Sequence, residues 1–264
     1  MIKQSDFSGG MMSDVNISLA PRNTVNLGLN VDFDSEIGSA VSRLGRATIG
    51  AQITAGMNIL GLVQHIDVDT ASNNKLFATL NASGGATSVI YDVIAASNAQ
   101  TGLTASLKMR SLVYNGATLF INGTDLERSY TSAGWITTGG AFDLANMPAG
   151  NLCIEFLDRV YIAGVTATLT RLLYSGVSSG TNVSWTSGNG YVDIEPEDGG
   201  GPITALGKVP GYILIFKERS MHRWNFSSAF PESLIQIGTP SQESVVMGGG
   251  LCAFYSNSNE NAKG

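Results

Sequence analysis

Residues 111–121 read SLVYNGATLFI. Four strand-favouring residues lead into Asn115-Gly116, and five more follow. Asn-Gly is the strongest short hairpin signal, because both turn residues tolerate positive φ. The stretch therefore predicts two antiparallel strands on a two-residue turn, and Asn122-Gly123 predicts another turn directly after it. The same grammar extends in both directions. Upstream lie residues 59–66 (ILGLVQHI), 76–80 (LFATL) and 88–94 (SVIYDVI). Downstream lie 152–157 (LCIEFL), 159–163 (RVYIA), 167–174 (ATLTRLLY), 212–216 (YILIF) and 221–226 (MHRWNF). Each is short, rich in β-branched and aromatic residues, and bounded by Gly, Asn, Ser or Asp, as strands punctuated by turns are. Residues 35–46 come nearest to helical spacing, and Gly38 and Gly45 interrupt them. The fold class read from this pattern is all-β.

Composition narrows the function. The chain has 264 residues, 32 of them Gly, and 14% charged residues, against roughly 7% Gly and 25% charged in an average protein. Hydrophobic residues make up 43%, enough for a sizeable core. A net charge of -6 repels bare nucleic acid rather than wrapping it. No apolar run is long enough for a membrane helix, and the opening MIKQSDFSGGMM lacks the apolar centre of a signal peptide. Two cysteines, Cys153 and Cys252, are too few for a disulfide scaffold and read as buried free thiols.

A repeat organises the strands. Similar units open near Leu62, Ser111, Cys153, Ile203 and Leu251, giving approximate units 57–105, 106–150, 151–201 and 202–250 and a partial unit 251–264. The triple glycines at 199–201, before PITAL, and at 248–250, before LCAFY, read as unit boundaries. A period of roughly 40–50 residues with about four strands fits a β-propeller blade, so the expected fold is a β-propeller-like array of antiparallel blades, with a β-sandwich as the alternative. Residues 1–56 read as an extended arm, with a closing strand suggested by the alternation of Ala47, Ile49, Ala51 and Ile53. An incomplete last blade exposes an unpaired strand edge, which predicts a protein cap on the C-terminal edge.

Three segments carry a resemblance. Asp6-Phe-Ser-Gly-Gly10, Asn30-Val-Asp-Phe-Asp34 and the stretch from Gly38 to Gly45 resemble the opening of structural proteins of tailed-phage virions. Residues 202–224, PITALGKVPGYILIFKERSMHRW, resemble a blade-opening segment of the propeller-bearing neck and tail-nozzle members of that family. The resemblance implies a virion component, assembled in the host cytoplasm, with portal, neck or tail proteins as partners. It also implies self-association in a ring, with DNA passing through and not specifically bound.

The chemistry-bearing residues are sparse. Asp32, Asp34 and Glu36 alternate, but a calcium loop starting at Asp32 would need Gly and Glu where Ile37 and Arg43 stand; a solvated strand face is the simpler reading. Glu195, Glu197 and Asp198 form an acidic loop tip, without a second carboxylate that sequence could place across a sugar. His65 reads as a core histidine satisfied by a backbone group, and no Cys or His stands at ligand spacing from it or from His222. Strand alternation from 216 to 224 places Lys217, Arg219, Met221 and Arg223 on one face; Lys217, Arg219 and Arg223 are the candidate interaction surface. Trp135, Trp185 and Trp224 recur near the blade period and fit core positions or exposed sugar-binding aromatics. Asn-x-Ser/Thr triplets at Asn16, Asn81, Asn122, Asn182 and Asn225 read as accidents of composition. No Walker loop, dinucleotide fingerprint, Gly-x-Ser-x-Gly or His-Glu-x-x-His occurs. The expectation is a non-enzymatic structural protein with no cofactor and no metal. The alternatives are a receptor- or glycan-binding propeller and, further off, a glycosidase.

Overall fold

The computed structural model describes residues 31–32, 41–42, 57–67, 70–81, 85–177, 182–195, 201–228 and 230–256. The chain divides into two units, residues 1–49 and 50–264. In the first, β1 (Val31–Asp32) pairs antiparallel with β2 (Val41–Ser42). Extended residues thus occupy part of the 35–46 stretch whose spacing came nearest to a helix.

The second unit is a succession of antiparallel meanders. The first sheet runs β3 (Ile59–His65), β4 (Lys75–Asn81), β5 (Thr87–Asp92), β6 (Ser97–Thr104). The second runs β7 (Arg110–Tyr114), β8 (Ala117–Ile121), β9 (Arg128–Thr131), β10 (Gly134–Ile136). The third runs β11 (Leu152–Phe156), β12 (Arg159–Ala163), β13 (Arg171–Tyr174), β14 (Gly190–Asp193). The fourth runs β15 (Ile203–Val209), β16 (Tyr212–Lys217), β17 (Met221–Trp224), β18 (Glu232–Ile235). A fifth sheet holds β19 (Val245–Gly248) and β20 (Leu251–Phe254). The first strands of successive sheets lie beside one another, which is how blades gather around a propeller axis. This is the expected β-propeller-like array of antiparallel blades, not a two-layer sandwich. Among the described residues the only helices are three 3-10 turns, and no helix is long and apolar enough to cross a membrane.

Local chemistry sets the register. Tyr114 pairs with Ala117 across Asn115-Gly116, whose φ values are +47° and +70°, so the Asn-Gly hairpin forms as predicted with the turn twist that suits right-handed strands. The Asn122 side chain accepts from the backbone N–H groups of Thr124 and Asp125, at 3.0 and 2.9 Å, and closes the next turn. Two-residue turns join the first two strands again at 157–158, 210–211 and 249–250.

The last of these corrects the repeat. Gly249 and Gly250 form a hairpin turn inside the fifth sheet, so Leu251 opens its second strand, and the sheet begins at Val245. Gly201 stands before the first strand of the fourth sheet, whereas Gly249 and Gly250 stand after the first strand of the fifth, so glycines that look alike in sequence stand one strand apart in the fold.

Cores form between sheets. Val63, Phe77, Ile90 and Phe120, with Trp135, join the first two. Leu119, Phe142, Val160, Ile162 and Trp185 join the second and third. Leu152, Tyr161, Leu172, Ile213, Ile215 and Trp224 join the third and fourth. Ala205, Leu214, Phe216 and Val245, with Cys252 and Phe254, join the fourth and fifth. A second strand is therefore apolar on both faces, as the wholly buried β8 shows.

Candidate interaction surface

The fifth sheet departs from the other four. In β19 and β20, residues 245, 247, 252 and 254 face the fourth sheet, and 246, 248, 251 and 253 face away. On the inner face, the Phe254 and Phe216 rings are 5.0 Å apart, and Val245 is buried. On the outer face, Val246 is 68% exposed, Leu251 76%, and the adjoining Tyr255 67%. Residues 245–255, VVMGGGLCAFY, carry no charge. An uncharged, apolar, β-prone strand with a bare face and edge is a site that proteins usually cover.

The fourth sheet continues this surface. Among the described residues β20 pairs only with β19. The parts of β17 and β18 that a third and fourth strand would cover are therefore partly open. Met221 and Leu234 are half-buried there. Arg223 donates to Glu232 at 2.7 Å and sits 4.8 Å from the Tyr212 ring centroid. A cleft of about 430 Å³ adjoins, between the turns of the fourth and fifth sheets, walled by Val209, Pro210, Met247 and Leu251.

The predicted basic face is not one face. Residues 216–224 are the end of β16, a turn, and β17: Lys217 N–H donates to Ser220 O at 2.9 Å, and Phe216 pairs with Met221. Strand alternation does not run through a turn, so the three cations separate. Lys217 is fully buried, and its Nζ donates to Glu195 O at 2.7 Å. Arg219 is exposed in the turn. Only Arg223 borders the open surface. The signal that sequence reading passed over is the charge-free stretch 245–255, across which a unit boundary had been drawn.

The other candidates fall into structural roles. Ser220 Oγ lies 3.0 Å from His222 Nε2, and His222 Nδ1 lies 4.0 Å from Glu195 Oε2. This is the order of a charge relay, yet Ser220 and His222 are fully buried, so the hydroxyl is closed to any substrate. His65 is buried as expected, but its partner is a side chain, Thr118 Oγ1 at 2.8 Å. Burial lowers its pKa, against a smaller raising effect of Asp67. Trp185 and Trp224 are buried and Trp135 is half-buried; each packs into one inter-sheet core. Cys153 and Cys252 are free thiols, and burial pushes Cys153 up to about 12. Asp34, Glu36, Glu197 and Asp198 lie outside the described residues; no metal-binding cluster occurs among the described ones.

A polar tie joins distant sheets. The short turn before β19 carries Gln242 and Glu243. Gln242 accepts from Leu206 N–H at 2.8 Å and donates to Leu206 O at 2.9 Å, so its amide acts as a one-residue strand partner for β15. Glu243 accepts from Lys108 at 2.9 Å and Arg110 at 3.0 Å. Burial raises the Glu243 pKa, but the hydrogen bond from Lys108 and the charges of both cations outweigh it and hold the group at about 2.

No protein-family model matches the sequence, and no curated protein does. Solved structures similar to it include Hsv2 of Kluyveromyces lactis, at 9% identity and a TM-score of 0.36, over 65% of this chain and 50% of that one. Sqt1 of Saccharomyces cerevisiae is 10% identical at a TM-score of 0.46, over 85% and 63%. The AfRom2 CNH domain is 10% identical at 0.41, over 88% and 68%. The chain thus spans about half of the Hsv2 chain. These are eukaryotic propeller-type proteins and not phage virion proteins, which overturns the resemblance to neck and tail-nozzle proteins. Its blade-like segment, 202–224, is three strands, β15 to β17, joined by a Pro-Gly turn and a second tight turn, a pattern any antiparallel meander can carry. The chain has a β-propeller-type fold, read from its succession of four-stranded antiparallel sheets.

Proposed function

We propose that the chain is a non-catalytic scaffold that docks another protein on its open fifth sheet. The observation that carries this is the bare outer face of β19 and β20, where Val246 and Leu251 are 68% and 76% exposed beside four complete four-stranded sheets. Burying such side chains contributes about 1.5–3 kcal/mol each, enough for a few anchors to hold a partner. The acidic balance and the pairing of Arg110, Arg171, Arg223, Lys108 and Lys208 with carboxylates support a protein partner over nucleic acid. The burial of Ser220 and His222 supports a role without turnover.

The test is photo-crosslinking in the cells that make the protein. A benzophenone side chain at position 246 or 251 should yield discrete protein adducts. The same probe at Thr101, exposed on the outer strand of a complete sheet, should not. Adducts at 246 and 251 no stronger than at 101 would overturn the reading. An adduct with a second copy of the chain would identify the partner as a sibling.

A further inference from the structure

We infer that the sheets of the second unit pair end to end with those of a second copy of the chain, through the end where the first-to-second-strand turns lie. This goes beyond docking on the fifth sheet and does not rest on it. Each of the first four sheets has four strands, an even number, so the chain leaves a sheet at the end where it entered. Connections between first and second strands, and between third and fourth, gather at one end, the turn end. Connections between second and third strands, and links between sheets, gather at the other, the link end. Polar contacts keep the ends in step. At the turn end, Tyr114 Oη donates to Asp158 O at 3.3 Å and Lys208 Nζ to Glu155 Oε2 at 2.8 Å. At the link end, Arg110 donates to Asn151 O at 2.8 Å and Lys217 Nζ to Glu195 O at 2.7 Å.

The two ends differ in charge. Among the described residues, the connections of the turn end carry Asp67 and Asp158 and no Lys or Arg. The charges just inside them are matched: Lys75 with Asp92 at 3.1 Å, Lys208 with Glu155, and Arg223 with Glu232 at 2.7 Å. The link end carries Asp125, Asp143, Glu195, Glu218 and Glu243 against Lys108 and Arg219. Apolar side chains stand out at the turn end: Ile66, Ile94, Leu157, Val177 and Phe226 are 41–60% exposed, and Phe230 81%. Leu126, Leu169 and Ile237 are exposed at the link end, but beside acids.

This pattern chooses the occupant. A partner with charges at its contact would meet no counterparts at the turn end and would bury them unpaired. The matching surface is uncharged and apolar, as a second turn end is. Two copies that meet by their turn ends also hold their acidic link ends at the greatest separation, whereas a contact between link ends sets acid against acid. Side chains of this size, half exposed, each carry on the order of 100 Å² of open surface. Two copies thus bring about 1,200 Å² together, the lower end of the range for a specific interface. The contact is isologous and closes at two copies.

Sedimentation velocity of the full-length protein over about 1–100 μM should show reversible doubling of mass. Salt should strengthen the pairing, because it screens the repulsion between two acidic copies. In an isologous contact each substitution acts twice, so Phe230→Ala should weaken pairing about a hundredfold. Leu157→Asn, which suits the positive φ of that turn, should act in the same direction. Leu126→Ala, at the link end, should leave pairing unchanged. Hydroxyl-radical footprinting of the unsubstituted protein should show Phe226 and Phe230 protected as concentration rises and Leu126 not; this readout needs no variant, so a misfolded variant does not remove the test. A monomer at about 100 μM overturns the pairing, whether or not vesicles of phosphatidylcholine then bind the turn end. So does an equal effect of Leu126→Ala, or protection of Val246 and Tyr255 in place of the two phenylalanines, which would put the second copy on the fifth sheet. Phe230→Ala should leave the photo-adducts at position 246 unchanged, so the pairing and the scaffold reading stand or fall separately.

Discussion

Leu157 and Asp158 form the turn between β11 and β12 with φ of +49° and +57°, a left-handed pair that sequence reading did not foresee. Elsewhere such turns carry Asn or Gly, which adopt positive φ at little cost. Here neither residue does, so the turn is held by the paired strands around it, Phe156 with Arg159 and Leu152 with Ala163. Asp158→Gly should stabilise the protein by about 1 kcal/mol, raising Tm by roughly 2–4 °C; an unchanged or lower Tm contradicts the strain. Glu127 carries a cost of another kind, that of burial. It is 5% exposed, its Oε1 has no partner among the described residues, and burial raises its pKa against a smaller lowering by a backbone hydrogen bond. A raised carboxyl pKa contributes stability below the unfolded value and loses it as pH rises through the folded value. Glu127→Gln should therefore stabilise by about 1–3 kcal/mol at pH 7, with the gain shrinking toward pH 4. Thermal melts of both proteins across that range provide the check.

At the scale of elements, strands were legible wherever turn chemistry was unambiguous. Asn115-Gly116 gave the β7–β8 hairpin because two residues with positive φ leave the chain few other choices. Residues 216–224 were misread because Glu218-Arg219-Ser220 form a turn without Gly, Pro or Asn. What makes that turn possible lies 20 residues on, where nothing local points to it. Thr239 N–H donates to Lys217 O at 2.9 Å, and Gly238 lies so close to the backbone of 217–219 that a Cβ there would meet Lys217 O. The open surface was hard to see for a similar reason: the exposure of Val246 and Leu251 is set by what stands beside their strands among the described residues, not by their own residue types. Gly238→Ala should displace the link between the fourth and fifth sheets and cost about 1–3 kcal/mol. Hydrogen exchange should rise in residues 213–224 and 245–254 and stay unchanged in β7–β10; uniform exchange across all sheets contradicts a local role.

At the scale of the whole molecule, the tie through Glu243 joins the segment before β19 to the beginning of the second sheet, across 133 residues of sequence. No sequence pattern announced it, because Lys108, Arg110 and Glu243 are ordinary surface types until the sheets gather. With Glu243 held at about 2, its contribution is present above the usual carboxylate pKa and fades as pH falls toward 2. Lys108 and Glu243 are both well exposed, so solvent reduces the value to under about 1 kcal/mol. Glu243→Gln should lower Tm slightly at pH 7, by less in high salt, and not at all near pH 2. A loss that persists at pH 2 would point to packing instead of charge.

The placing of the three tryptophans has an optical consequence. Trp135, Trp185 and Trp224 report on the first, second and third junctions between sheets, and the fourth junction holds none. Intrinsic emission will follow the melting of the body and stay blind to the C-terminal hairpin coming loose. Far-ultraviolet dichroism will register that event, so a low-temperature step in the dichroism with a flat fluorescence trace is the signature of β19 and β20 detaching first.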